Sequence, residues 1–105
     1  MVEACKSFIQ LIKKCEYYEA HEVLEDIWFP KRFEEDEEIL IIKGFINASV
    51  AFELVKKGRM KAAKKAWKVY LKYSPLLENS TSEHLPIYQE IEKLLEQKYD
   101  QLFRS

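Results

Sequence analysis

The segment that decides the fold is residues 39–57, which read ILIIKGFINASVAFELVKK. Its apolar side chains leave no wide polar face, so a helix formed by this segment is expected to lie at the centre of the protein, with neighbours on all sides. Gly44, Ala48 and Ala51 share one side of that helix. We therefore expect a neighbouring helix to approach this side closely.

Both ends of the central helix carry signals of their own. Residues 34–38, EEDEE, are predicted to open the helix, because carboxylates suit the positive end of a helix dipole. Gly58 follows Lys56 and Lys57 and is predicted to end the helix as a left-handed cap.

Helical periodicity extends to both sides of this segment. Further helices are predicted at about residues 2–14, at 17–29 before Pro30, at 59–73, and from about Pro86 onward. Ser74, Pro75 and residues 78–82 are assigned to the one substantial loop. The chain has two glycines, three prolines and a single threonine, too little turn chemistry for a sandwich or barrel. The fold class is therefore all-α: a compact bundle or array of four to five helices in one domain, residues 1–105.

Composition excludes several classes of protein. The 105 residues carry 17 basic and 18 acidic groups, and a net charge of −1 argues against bulk attraction to nucleic acid or anionic membranes. Cys5 and Cys15 form neither a disulfide framework nor a zinc pattern. We find no run of about 18 uninterrupted apolar residues and no signal-peptide pattern. The sequence predicts a soluble cytoplasmic protein with no membrane association and no cofactor.

The charges are segregated along the chain. Residues 1–55 contain six basic and twelve acidic groups, whereas residues 56–75 contain eight basic and no acidic groups. The fourth helix has a lysine stripe that consists of Lys61, Lys64, Lys65, Lys68 and Lys72. We interpret it as a solvated face. Nucleic-acid binding is the alternative, and it is disfavoured because arginine is scarce and no stacking aromatic residues interleave with these lysines.

The second helix holds the densest group of chemically unusual residues, YYEAHEVLEDIW at residues 17–28. His21 and Glu25 are four residues apart, so their side chains can touch at the border between the apolar arc and the acidic face. One interpretation is a polar pair that fixes how this helix docks on the central one, near Lys43 and Asn47.

Two other interpretations stay open. His21 and Glu25 form half of a metal-ligand set of the His-Glu-x-x-His kind, with Glu25 in place of the second histidine. The remaining histidine, His84, lies in a loop without ligand-like spacing around it. The third interpretation is a small-molecule or peptide pocket lined by Tyr18, His21, Trp28 and Asn47.

Three segments together resemble the Domain of Unknown Function 309 family: residues 18–28, 43–51 and 57–63. The first carries the family's Glu-Ala-His-Glu-x-Leu-Glu-x-x-Trp motif, and the resemblance covers about residues 17–73. It implies a small, all-helical, intracellular protein. The site residues that it implies are His21, Glu22, Glu25 and Trp28, with Asn47 as a further member.

The second family motif is matched loosely. Lys43, Phe45 and Asn47 stand where the family has glutamine, leucine and glutamine. The family's later histidine is replaced by Phe52 or Glu53. An imidazole that would complete a metal site with His21 is therefore missing at this place in the sequence.

The sequence shows neither a nucleophile with its base nor a complete metal-ligand set at recognisable spacing. We therefore predict a binding or interaction module rather than an enzyme. Aromatic residues make up 13% of the chain, more than a small monomeric core needs, which favours a protein partner or a homo-oligomer. The alternatives are a metal-dependent enzyme or metal-binding protein using His21 and Glu25, and nucleic-acid binding through the lysine stripe.

Overall fold

Helices dominate the computed structural model, which describes residues 1–104. The five α-helices are α1 (Val2–Lys13), α2 (Tyr17–Trp28), α3 (Glu37–Lys56), α4 (Met60–Tyr73) and α5 (Leu85–Phe103). Short 3₁₀ segments follow α2 at Phe29–Lys31 and α4 at Ser74–Asn79, and the described residues contain no strand. The predicted all-α class is confirmed.

Helix α3 is the centre of the fold. Ten of its 20 residues are buried, and it packs against α2, α4 and α5, while α1 covers α2 and α5. Phe45 and Phe52, 1% and 0% exposed, carry the core outward from α3 toward the surrounding helices. The absence of a polar face on residues 39–55 thus has the consequence expected from the sequence.

The small-residue side of α3 faces α4. A methyl group built on Gly44 would lie 3.2 Å from Cβ of Tyr73, tighter than ordinary contact, and Ala48 and Ala51 are fully buried. Close approach between α3 and α4 therefore requires glycine at position 44.

The ends of α3 are fixed by local hydrogen bonds. The Asp36 carboxylate accepts from the backbone N–H of Glu38 at 2.9 Å, and α3 begins at Glu37. Gly58 has φ of +75° and its N–H donates to the carbonyl of Val55, which confirms the left-handed cap.

Three predicted boundaries were wrong. Glu34 and Glu35 precede α3 instead of opening it, because Asp36 has an extended backbone and caps the helix two residues later. The α-helical part of α2 ends at Trp28, and Pro30 lies within a 3₁₀ turn that prolongs it. Most of the predicted loop after α4 is the 3₁₀ segment Ser74–Asn79.

Both cysteine thiols are free, with Cys5 buried and Cys15 exposed. Burial raises the pKa of the Cys5 thiol to about 11. Among the helices of residues 1–104, none combines the length and apolar composition needed to cross a bilayer.

Candidate functional site

The His21 imidazole and the Glu25 carboxylate lie side by side on α2, as their spacing predicts. Nε2 of His21 is 2.6 Å from Oε2 of Glu25, and Nδ1 is 2.9 Å from the carbonyl oxygen of Tyr18. The Tyr18 ring meets the imidazole edge-on, with 5.3 Å between centroids. An ionised carboxylate and a carbonyl both accept, so both contacts are hydrogen bonds only when both ring nitrogens carry protons.

This pair is a partly solvated feature of one helix. The side chain of His21 is 20% exposed and that of Glu25 is 40% exposed. Asn47 hydrogen-bonds within its own helix, where its amide donates to the carbonyl of Lys43 at 2.9 Å. The Lys43 ammonium lies over the ring of Tyr73, at 5.4 Å from the centroid. The polar positions of α3 are thus engaged by groups other than His21 and Glu25.

An exposed i,i+4 pair contributes about 0.3–0.5 kcal/mol, and water and salt screen it further. We therefore expect His21→Ala to lower the free energy of unfolding by no more than about 0.5 kcal/mol, measured by urea denaturation. Leu24→Ala, at a fully buried position of the same helix, is the control and should cost about 2–5 kcal/mol. A comparable loss in both variants would mean that the imidazole holds α2 in place.

His21 and Glu25 form part of the wall of an open cleft of about 500 Å³. The cleft combines three carboxylates, one imidazole, two aromatic rings and a proline. Its lining residues are Tyr18, His21, Glu22, Glu25, Asp26, Phe29 and Pro30. Of the residues implied by the sequence, His21, Glu22 and Glu25 line this cleft. Trp28 and Asn47 do not, because Trp28 packs against the core and Asn47 bonds to α3.

Exposed aromatic surface continues from the cleft into the turn after α2. Phe29 is 51% exposed and Phe33 is 86% exposed. The Arg32 guanidinium carbon lies 3.8 Å from the Phe29 ring centroid and 4.6 Å from that of Phe33. Sequence reasoning missed these three residues. The available signal was a pair of phenylalanines around basic residues, FPKRF, in a segment between two helices.

A second polar cluster joins α3 to the start of α5. Oε1 of Glu38 accepts from the hydroxyl groups of Ser82 at 2.5 Å and Tyr88 at 2.9 Å, and it lies 3.0 Å from Nδ1 of His84. The hydrogen bond from Ser82, followed by those from His84 and Tyr88, lowers the pKa of the Glu38 carboxyl. The sequence analysis found no partner for His84, because Glu38 is 46 residues away in the chain.

The chemistry available to the two clusters is limited. The Ser82 hydroxyl donates to a carboxylate instead of to an imidazole, so Ser82 and His84 do not form a nucleophile and base relay. Within residues 1–104, no group of three or more His, Cys, Asp or Glu side chains is placed to hold a metal ion. The metal hypothesis for His21 and Glu25 therefore lacks a third protein ligand among these residues.

The comparison with protein families gives one match. The family model described as Domain of unknown function (DUF309) matches residues 5–66, which is more than half of the chain. The match includes most of α1, all of α2 and α3, and with them every residue that lines the cleft. Neither the curated proteins nor the solved structures contain a match to this chain.

Proposed function

The chain belongs to the DUF309 family, and from that premise and the composition of the α2 cleft we propose that it is a binding module for a basic segment of a protein partner. The observation that carries this proposal is the coexistence, in one cleft, of the carboxylates of Glu22, Glu25 and Asp26 with the half-exposed rings of Tyr18 and Phe29.

Electrostatics favour a cation in this cleft. In the described part of the chain, no lysine or arginine lies within ion-pair distance of Glu22 or Asp26, so these carboxylates are available to a ligand. An ammonium or guanidinium group over an exposed aromatic ring gains about 0.5–1 kcal/mol in addition to its attraction to the carboxylates. The contact of Arg32 with Phe29 is an example of that geometry within this chain.

The shape of the surface favours a peptide over a small metabolite. The cleft is open, and Phe33, at 86% exposed, extends the apolar surface beyond it. Small-molecule sites bury most of their ligand, whereas protein interfaces combine aromatic and arginine anchors with a polar rim. Tyr18, Phe29 and Arg32 would serve as such anchors, and the carboxylates would form the rim.

The test uses fluorescence anisotropy with a labelled amphipathic peptide of leucine and lysine, and with a matched peptide in which glutamate replaces lysine. We expect only the lysine peptide to bind, and Glu22→Gln combined with Asp26→Asn to weaken its binding about fivefold to tenfold. The estimate assumes that each exposed ion pair contributes up to about 1 kcal/mol.

The matched control removes two exposed carboxylates elsewhere, through Glu3→Gln combined with Glu90→Gln. It changes the net charge equally and should leave the affinity nearly unchanged. Equal weakening in both double variants would reduce the interaction to the overall charge of the protein. Binding of the glutamate peptide with similar affinity would contradict the proposal.

A further inference from the structure

Helix α4 presents a strongly basic surface to solvent. We call its five exposed lysines the lysine face: Lys61, Lys64, Lys65, Lys68 and Lys72. In the part of the chain that the structure describes, none of the ion pairs involves a member of this face. Lys72 contacts only the ring of Tyr73 among the interactions found for it, at 5.3 Å from the centroid. The positive charge of α4 therefore has no counterpart within the fold.

Exposed aliphatic side chains border the lysine face. Met60 is 38% exposed and Leu71 is 50% exposed. They are eleven residues apart, which is close to three helical turns, so they lie on the same side of α4. At about 100° per residue, Lys64 and Lys68 lie next to them around the helix. The face thus combines apolar contact area with positive charge.

Helix α2 carries the opposite charge in the same arrangement. We call its exposed carboxylates the acidic face: Glu19, Glu22 and Asp26. Their spacing of three and then four residues recurs on α4 in Lys61, Lys64 and Lys68. The exposed apolar residues follow the same offset, because Tyr18 and Met60, like Phe29 and Leu71, are also 42 residues apart.

We propose that the lysine face of one copy of this protein docks in parallel on the acidic face of a second copy. With a rise of 1.5 Å per residue, equal spacing places the carboxylates of one helix at the same heights as the lysines of the other. Tyr18 and Phe29 then lie at the heights of Met60 and Leu71. This inference rests on the proposed function, since it identifies the basic segment as α4 of another copy.

The contact is heterologous, because each copy contributes a different face to it. Exposed ion pairs are individually weak and are screened by salt, so the association is expected to be weak and strongly dependent on ionic strength. We expect the apparent dissociation constant to rise at least about tenfold between roughly 20 mM and 300 mM NaCl, where the Debye length falls from about 20 Å to below 8 Å.

The experiment is sedimentation equilibrium of the full chain over a concentration series at both salt concentrations. One double variant reverses the acidic face, Glu22→Lys with Asp26→Lys, and the other reverses the lysine face, Lys64→Glu with Lys68→Glu. Each alone should remain monomeric at low salt, because both of its faces then carry the same sign. An equimolar mixture should associate again. Lys6→Glu with Lys93→Glu changes exposed lysines elsewhere and should associate like the parent chain.

A parent chain that stays monomeric at low salt overturns the inference, as does a mixture of the two variants that fails to associate. The leucine and lysine peptide separates this failure from failure of the proposed function, because Lys64→Glu with Lys68→Glu leaves the α2 cleft intact. Peptide binding without self-association removes only the inference, and absence of both removes both proposals. Binding of single-stranded DNA by the lysine face of a monomeric chain would assign that face to nucleic acid instead.

Discussion

Phe45→Ala is expected to lower the free energy of unfolding by about 3–5 kcal/mol, the usual cost of deleting a buried phenylalanine ring. The side chain is 1% exposed. Its ring contacts three aromatic rings from three other helices, with centroid distances of 6.4 Å to Phe8 of α1, 6.4 Å to Tyr70 of α4 and 5.9 Å to Tyr88 of α5. The cavity would therefore lie where four helices meet, and little local collapse could fill it.

Urea denaturation followed by circular dichroism measures this loss. Phe33→Ala is the matched control, because the same ring is deleted at a position that is 86% exposed. We expect the control to change stability by no more than about 0.5 kcal/mol. Similar losses in the two variants would show that the core does not depend on the ring of residue 45.

Glu38→Gln is expected to lower the free energy of unfolding by about 1–3 kcal/mol at neutral pH. One oxygen of Glu38 is the common acceptor for Ser82 and Tyr88 and also contacts His84, and the amide keeps the size of the side chain but not its charge. Hydrogen bonds to a charged group are worth more than neutral ones. Because the Glu38 side chain is 35% exposed, screening by water favours the lower part of this range.

The pH dependence of this loss follows from the lowered pKa of Glu38. A carboxyl whose pKa is lower in the folded state stabilises the fold above its unfolded pKa, and the stabilisation disappears as pH falls through the folded pKa. The difference between the parent and Glu38→Gln should thus be full at pH 7 and shrink below about pH 4. Glu83→Gln, 88% exposed beside His84, is the control and should show almost no difference at any pH.

The centre of the fold was predictable because its signal is local. The apolar run of residues 39–55 has no polar face, so burial on all sides follows from one segment alone. The contact between His21 and Glu25 was predictable for the same reason, since a spacing of four residues brings side chains together on any helix.

The cluster around Glu38 could not be predicted, because Ser82, His84 and Tyr88 reach it only after α5 has packed against α3. The acidic run 34–38 indicated a helix start and gave no information about which carboxylate would acquire partners. The helical wheel also placed Trp28 near the candidate pocket, but tertiary packing directs that ring toward the core. Sequence periodicity identifies the arc of a residue and leaves its neighbours on other helices undetermined.

The enclosure of α3 divides the chain into parts under different selective pressures. Residues that the hub touches must keep their volume, whereas the outer sides of α2 and α4 can exchange charge without disturbing it. Relatives can therefore diverge in what they recognise while they retain one architecture. The same separation makes the chain a convenient scaffold for engineering, because two addressable helical surfaces can be rewritten on an unchanged frame.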